Sequence, residues 1–257
     1  MGSLPGPMHG PPPRDAAASP PTVPVLRAKP PGAPVRILAT VTPRIRAVTD
    51  QIEPYTRWWN GNNQAAVGAT GPLLVAVGDS TAIGIGASAP GRGYVRLLLD
   101  LLREHRDPRW RAINLGQSGA RADDAIERQL PAARRLDPDL VVCCVGTNDL
   151  VWTLSTSGLR RDLRAIVDGL PMTSIVGLPA GASPRARAAR RVVVASGRER
   201  GLAVVDPWSE PAPGGEARLA VDRFHPSDLG YRLMAAPFAR RLGLPVDGLL
   251  RSPAGDG

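Results

Sequence analysis

The stretch Leu73-Leu74-Val75-Ala76-Val77-Gly78-Asp79-Ser80-Thr81 decides how this chain reads. A short apolar run of strand type stops at Gly-Asp-Ser, and the chain then loosens into Ala82-Ile83-Gly84-Ile85-Gly86. That pattern sets a serine at the tip of a strand, among backbone N–H groups and with little side-chain bulk nearby. Gly-Asp-Ser is also common turn chemistry, so the serine gains meaning only from its company.

Working outward, strands and helices alternate from Gly71 onward. Tyr94 to Arg103 reads as a helix, and Trp110 to Leu115 as a strand ending in Gly116-Gln117-Ser118-Gly119. A helix over Arg121 to Leu136 leads to the apolar strand Leu140 to Val145, which ends in Gly146-Thr147-Asn148-Asp149. A helix (Leu159 to Gly169), a strand (Thr173 to Leu178), a basic helix (Ser183 to Arg200) and a last strand (Leu202 to Val205) follow. Apolar strands separated by helices imply an α/β fold: a three-layer arrangement with a parallel sheet covered on both faces. Four segments are expected: a proline-rich tail without structure (1–40), an amphipathic helical extension (41–70), the main domain (71–245) and a loose C-terminal tail (246–257). Residues 1–34 hold 11 of the 28 prolines and little to bury. In the extension, Ile45, Val48, Ile52, Tyr55 and Trp59 recur at helical spacing, and Pro54 should kink or restart the helix. It reads as a helix packed on the domain, or as a lid or membrane-surface element using Trp58 and Trp59.

Composition narrows the partners. The net charge of +9 raises nucleic acid or an anionic membrane. Lys29 is the only lysine, however, and 31 of the 32 basic residues are arginines, a skew expected of GC-rich coding. No nucleic acid partner is therefore expected. Arg187, Arg190, Arg191 and Arg198 share one face of the basic helix; it reads as a solvated face, with peripheral contact to an anionic membrane as its functional alternative. Cys143 and Cys144 are neighbours in an apolar strand, which suits neither a disulfide framework nor a zinc site; no metal and no cofactor are expected. No run approaches a membrane span, and Met1 to Pro13 lacks both a basic n-region and an apolar h-region, so a cytoplasmic protein is expected.

In open parallel sheets, ligands bind beyond the carboxyl ends of the strands, where Ser80, Gly119 and Asn148 all fall. A serine hydroxyl needs a base. Of the three histidines, His9 lies in the tail and His105 among charges at a helix end. His225, in Asp222-Arg223-Phe224-His225-Pro226, follows the final strand and can fold back to the same edge. Asp222 could accept the imidazole Nδ1–H and fix its tautomer. The Ser80 and Gly119 backbone N–H groups and the Asn148 amide are donors of the kind an oxyanion needs. Trp152 and Trp208 are candidates to line a substrate pocket, or plain packing residues.

These residues carry a resemblance. The chain resembles the SGNH, or GDSL-type, hydrolase family: Gly78-Asp79-Ser80 its nucleophile block, Asn114 to Gly119 its glycine block, Gly146 to Asp149 its asparagine block and Asp222-x-x-His225 its final block, all in family order. The resemblance implies a flavodoxin-like sheet and metal-independent ester hydrolysis. Ser80 would then be the nucleophile, His225 the base and Asp222 its orienter, with Gly119 and Asn148 completing the oxyanion hole. The substrate would be a small-molecule or lipid ester. Thr81 stands where the name-giving motif has leucine, which puts the local pocket lining in question. An α/β-hydrolase fits worse, since no Gly-x-Ser-x-Gly elbow is present, and Gly84-Ile85-Gly86 lacks a dinucleotide site's third glycine. Two alternatives share the motifs: an acyltransferase on the same site, and an inactive binding module using its arginines.

Overall fold

The computed structural model describes residue 23 and residues 25–29, 32–152, 155–212 and 217–251. Three helices come first: α1 (Ala33–Val41), α2 (Pro43–Thr49) and α3 (Ile52–Gly68). Strand β1 (Leu73–Gly78) runs into the short α4 (Ser80–Ile83), followed by α5 (Tyr94–His105). After β2 (Arg111–Asn114) come α6 (Ala122–Asp124), a π-helical turn (Ala125–Gln129) and α7 (Leu130–Arg135). Then follow β3 (Leu140–Cys144), α8 (Thr147–Trp152), α9 (Thr156–Gly169), β4 (Ser174–Gly177), α10 (Pro184–Arg200) and β5 (Ala203–Val205). The chain closes with α11 (Asp228–Arg241) and α12 (Asp247–Leu250).

All five strands are parallel, in the order β2-β1-β3-β4-β5. Because side chains alternate across a strand, β1 feeds two cores. Leu74 and Ala76 join Leu98, Tyr231 and Phe238 on one face, while Leu73, Val75 and Val77 join Leu163, Ile166 and Val193 on the other. That is the expected three-layer α/β sandwich. From β1 the chain steps outward to β2, then returns to place β3 on β1's other side. The reversal opens a crevice at the carboxyl ends of β1 and β3, the position where sheets of this type bind ligands. Ser80 and Asn148 immediately follow those two strands.

The extension packs on the domain through the residues its periodicity picks out: Val48, Ile52, Tyr55 and Trp59 are buried. Trp59 donates its indole N–H to the Ile83 carbonyl, and Trp58 meets it edge to face. The two tryptophans are therefore packing residues, not a membrane-facing pair. The helix breaks at Asp50 and Gln51, while Pro54 sits in the first turn of α3, where a proline costs no intrahelical bond. Asn63 on α3 brackets edge strand β2, donating to the Asn114 carbonyl and accepting from its N–H.

Three boundary expectations need correction. Residues 33–40 were expected in an unstructured tail, yet α1 occupies them; Pro34 lies at the start of that helix, where its fixed φ favours helix. Leu26, also in the expected tail, exchanges two hydrogen bonds with the Asn60 side chain. The expected loose tail from 246 begins with α12, anchored by buried Leu249. Residues 1–22, 24, 30, 31 and 252–257 of the two expected tails lie outside the described residues. On α10, Arg187, Arg191 and Arg198 are exposed, but Arg190 pairs with Asp206 and donates to the Pro179 carbonyl. Among the described residues, no helix is long and apolar enough to cross a membrane.

Candidate active site

Ser80 opens α4 directly after β1, so its N–H belongs to the first helical turn, which has no intrahelical acceptor. Asp79 caps that turn, accepting from both the N–H and the hydroxyl of Thr81 at 2.9 and 2.8 Å. Thr81 is thus turned inward to Asp79 and is not among the residues that line the cavity at Ser80. Burial pushes the Asp79 carboxyl up, against the pull of those two bonds. Gly78 has no room for a side chain, since a β-carbon there would stand 2.7 Å from the Cys144 carbonyl oxygen.

The loop after Ser80 is held from two sides. Tyr55 and Gln51 of the N-terminal segment both donate to the Ala87 carbonyl, and Gln51 also accepts from the Gly86 N–H. Tyr231 of α11 donates to the Ile85 carbonyl at 2.6 Å. None of these partners was singled out from the sequence for this purpose. Gln129 was missed as well. It lies in the π-helical turn, accepts from the Gly78 N–H at 2.8 Å and donates to the Gly78 carbonyl at 2.9 Å.

His225 arrives from the other end of the chain. Its loop is closed by Ala220 donating to the His225 carbonyl at 2.8 Å and by the Leu219–Pro226 bridge, with Arg223 at φ +57° turning the tip. His225 Nε2 lies 3.0 Å from Ser80 Oγ, and Nδ1 lies 2.6 Å from Asp222 Oδ2. Asp222 Oδ1 accepts the N–H groups of Phe224 and His225. Burial pushes the Asp222 carboxyl up, but these hydrogen bonds outweigh it and hold it below its ordinary range.

Gly119 and Asn148 line the same cavity as Ser80 and His225, a space of about 570 Å³. Gly119 sits at φ +70°, a conformation that suits glycine, with open space where a β-carbon would be. Asn148 is buried in the first turn of α8 and donates one amide hydrogen to the Ala120 carbonyl, which ties the β3 loop to the β2 loop. Asp149 adds a second tie by accepting the Ala122 N–H. Burial raises the Asp149 carboxyl to about 6, although that bond opposes the rise.

Of the two tryptophans considered, Trp152 lines the cavity and is 58% exposed. Trp208 stands apart, packed against the core with its indole N–H on the Leu178 carbonyl. The buried cysteines offer no rival nucleophile, because burial pushes Cys143 up to about 12 and Cys144 well above its ordinary value. Among the described residues, no group of three or more His, Cys, Asp or Glu is placed to hold a metal ion.

The GDSL-like lipase/acylhydrolase family matches residues 76–233, more than half of the chain. The chain belongs to that family. Family membership makes it a carboxylic ester hydrolase of the esterase/lipase type. Solved structures agree on the fold. A lipase/acylhydrolase from Enterococcus faecalis is 22% identical with a TM-score of 0.54, over 71% of this chain and 100% of that one. Axe2, an acetylxylan esterase from Geobacillus stearothermophilus, is 24% identical at 0.54, over 72% and 99%. The psychrotrophic esterase EstA from Pseudoalteromonas sp. is 18% identical at 0.55, over 67% and 97%. No curated protein matches the chain in sequence.

Proposed function

We propose that this GDSL-family hydrolase cleaves a carboxylic ester through an acyl-enzyme on Ser80. The observation that carries the reading is the imidazole of His225, 3.0 Å from Ser80 Oγ on one side and 2.6 Å from Asp222 on the other. With Nδ1–H donated to Asp222, the Nε2 lone pair faces the hydroxyl and can take its proton. Ser80 Oγ then bonds to the ester carbonyl carbon, and the carbonyl oxygen becomes an oxyanion. The N–H groups of Ser80 and Gly119 and the second amide hydrogen of Asn148 are its donors; losing one such donor costs on the order of 10²–10³ in kcat. Collapse of the intermediate breaks the bond to the alcohol oxygen, which leaves with the proton from His225. Water repeats the sequence with His225 as base, releasing the acid and restoring Ser80. Asp222 stays ionised throughout, stabilising the imidazolium as it forms.

The test is hydrolysis of p-nitrophenyl butyrate by Ser80→Ala, with folding checked by thermal unfolding. The reading predicts a folded protein whose kcat falls by at least about 10³-fold. Hydrolysis at the wild-type rate would remove Ser80 from the mechanism.

A further inference from the structure

The cavity at Ser80 has one wall that lies outside the matched domain. Leu38 of α1, Ile45 and Val48 of α2 and Ile52 of α3 line it, facing the same space as Val151 and Trp152 of α8. The family match begins at residue 76, so the helical half of this wall belongs to the chain's own N-terminal segment. Its chemistry is aliphatic. The two cations in the lining already have partners: Lys29 pairs with Asp124 at 3.0 Å, and Arg121 pairs with Asp123 at 3.1 Å. A saccharide would find few hydrogen-bonding groups on such a wall, whereas a hydrocarbon would cover Leu38 and Trp152, which are 47% and 58% exposed. The volume of about 570 Å³ far exceeds what an acetyl group fills. The wall is also held in place. Val48 and Ile52 are buried in the main core, and Gln51 and Tyr55 clamp the Ser80 loop from the same segment.

We propose that the ester carries a medium-length aliphatic chain and that α1 and α2 are the elements that select it. This rests on Ser80 being the nucleophile. The shared chemistry is a hydrocarbon tail; whether it belongs to the acyl or the alcohol part is resolved by the two arms of the test.

The experiment measures kcat/KM of the full-length protein for p-nitrophenyl esters from acetate to dodecanoate, and for acetates of alcohols from ethanol to decanol. In one arm kcat/KM should rise up to about fourfold per methylene through roughly the octyl member, the equivalent of ~0.8 kcal/mol per buried CH₂. Ile45→Trp, which fills the wall, should lower the octyl-to-shortest ratio in that arm by about tenfold or more. Leu38→Trp, on the exposed helix α1, reads the same ratio should Ile45→Trp fail to fold. A flat series in both arms overturns the proposal, as does a wild-type ratio in both folded tryptophan variants. Wild-type protein that cleaves no ester in either arm overturns the nucleophile assignment and this proposal with it. Cleavage of short esters with a flat series overturns this proposal alone.

Discussion

Gly86 lies against His225 so closely that a β-carbon at residue 86 would stand 2.7 Å from the His225 β-carbon and 2.6 Å from the Pro226 carbonyl oxygen. Its φ of +98° adds a conformation that side chains rarely adopt. Gly86→Ala therefore pushes the His225 loop outward. A displacement near 1 Å is worth on the order of 10² in rate, so kcat/KM should fall by about that factor. Steady-state kinetics on a folded variant checks it, and wild-type activity would mean that His225 does not depend on this contact.

Gln129 should matter although it is remote from the substrate. Gln129→Leu leaves the buried N–H and one partner of the carbonyl of Gly78 without the amide, at roughly 1–3 kcal/mol for each group stranded. We expect a loss of about 1–3 kcal/mol in denaturant unfolding, because the Gly78 carbonyl keeps the Gln117 N–H, and a lower kcat, since Gly78 sets the position of Ser80. Gln129→Glu, which retains an acceptor for the Gly78 N–H but not the donor to its carbonyl, should also be destabilised. Unaltered stability in both variants would contradict this role.

The two elements of the site differ in how far the sequence revealed them. The strand–loop blocks around Ser80, Gly119 and Asn148 were legible because each is local: an apolar run ending in small or polar residues. Asp222 and His225 were legible because their spacing is short and His225 was the one histidine free to reach the sheet edge. The supports were not. Gln129, Gln51, Tyr55 and Tyr231 act on backbone carbonyls and N–H groups remote in sequence, and no residue pattern encodes which carbonyl a side chain will meet. Helix α1 was hidden by its surroundings, since a proline after many prolines read as more tail when it instead begins a helix.

Asp149 gives a pH signature of stability. Its carboxyl, ordinarily near 3.8, rises to about 6 in the fold through burial. The folded state therefore holds this proton more tightly than the unfolded chain, so stability falls as pH rises from about 4 to about 6, and the penalty is full above that. Asp149→Asn keeps an acceptor for the Ala122 N–H without the charge. It should be more stable than wild type by on the order of 1–3 kcal/mol near pH 8, with the difference vanishing near pH 4. Thermal unfolding at both values checks the sign; a variant less stable near pH 8 than near pH 4, relative to wild type, would contradict it.

Asp222 predicts a loss of rate with little loss of fold. In Asp222→Asn the amide can donate to Nδ1, which moves the imidazole proton to Nε2 and removes the lone pair facing Ser80. kcat should drop by about 10³–10⁴-fold. Its stability effect follows pH in the opposite sense to Asp149: the Asp222 carboxyl is held below its ordinary value, so its contribution is present near neutral pH and disappears in acid. A variant within tenfold of wild-type kcat would remove Asp222 as the orienting group.

The central claim is a covalent bond to one oxygen, and intact-protein mass spectrometry reads it directly. Reaction with an alkyl fluorophosphonate should displace fluoride, add one phosphonyl group and stop hydrolysis, with the added mass mapping to the peptide that carries Ser80. Ser80→Ala should take up none. Stoichiometric labelling of a different residue, or full ester hydrolysis by protein labelled at Ser80, would contradict the account.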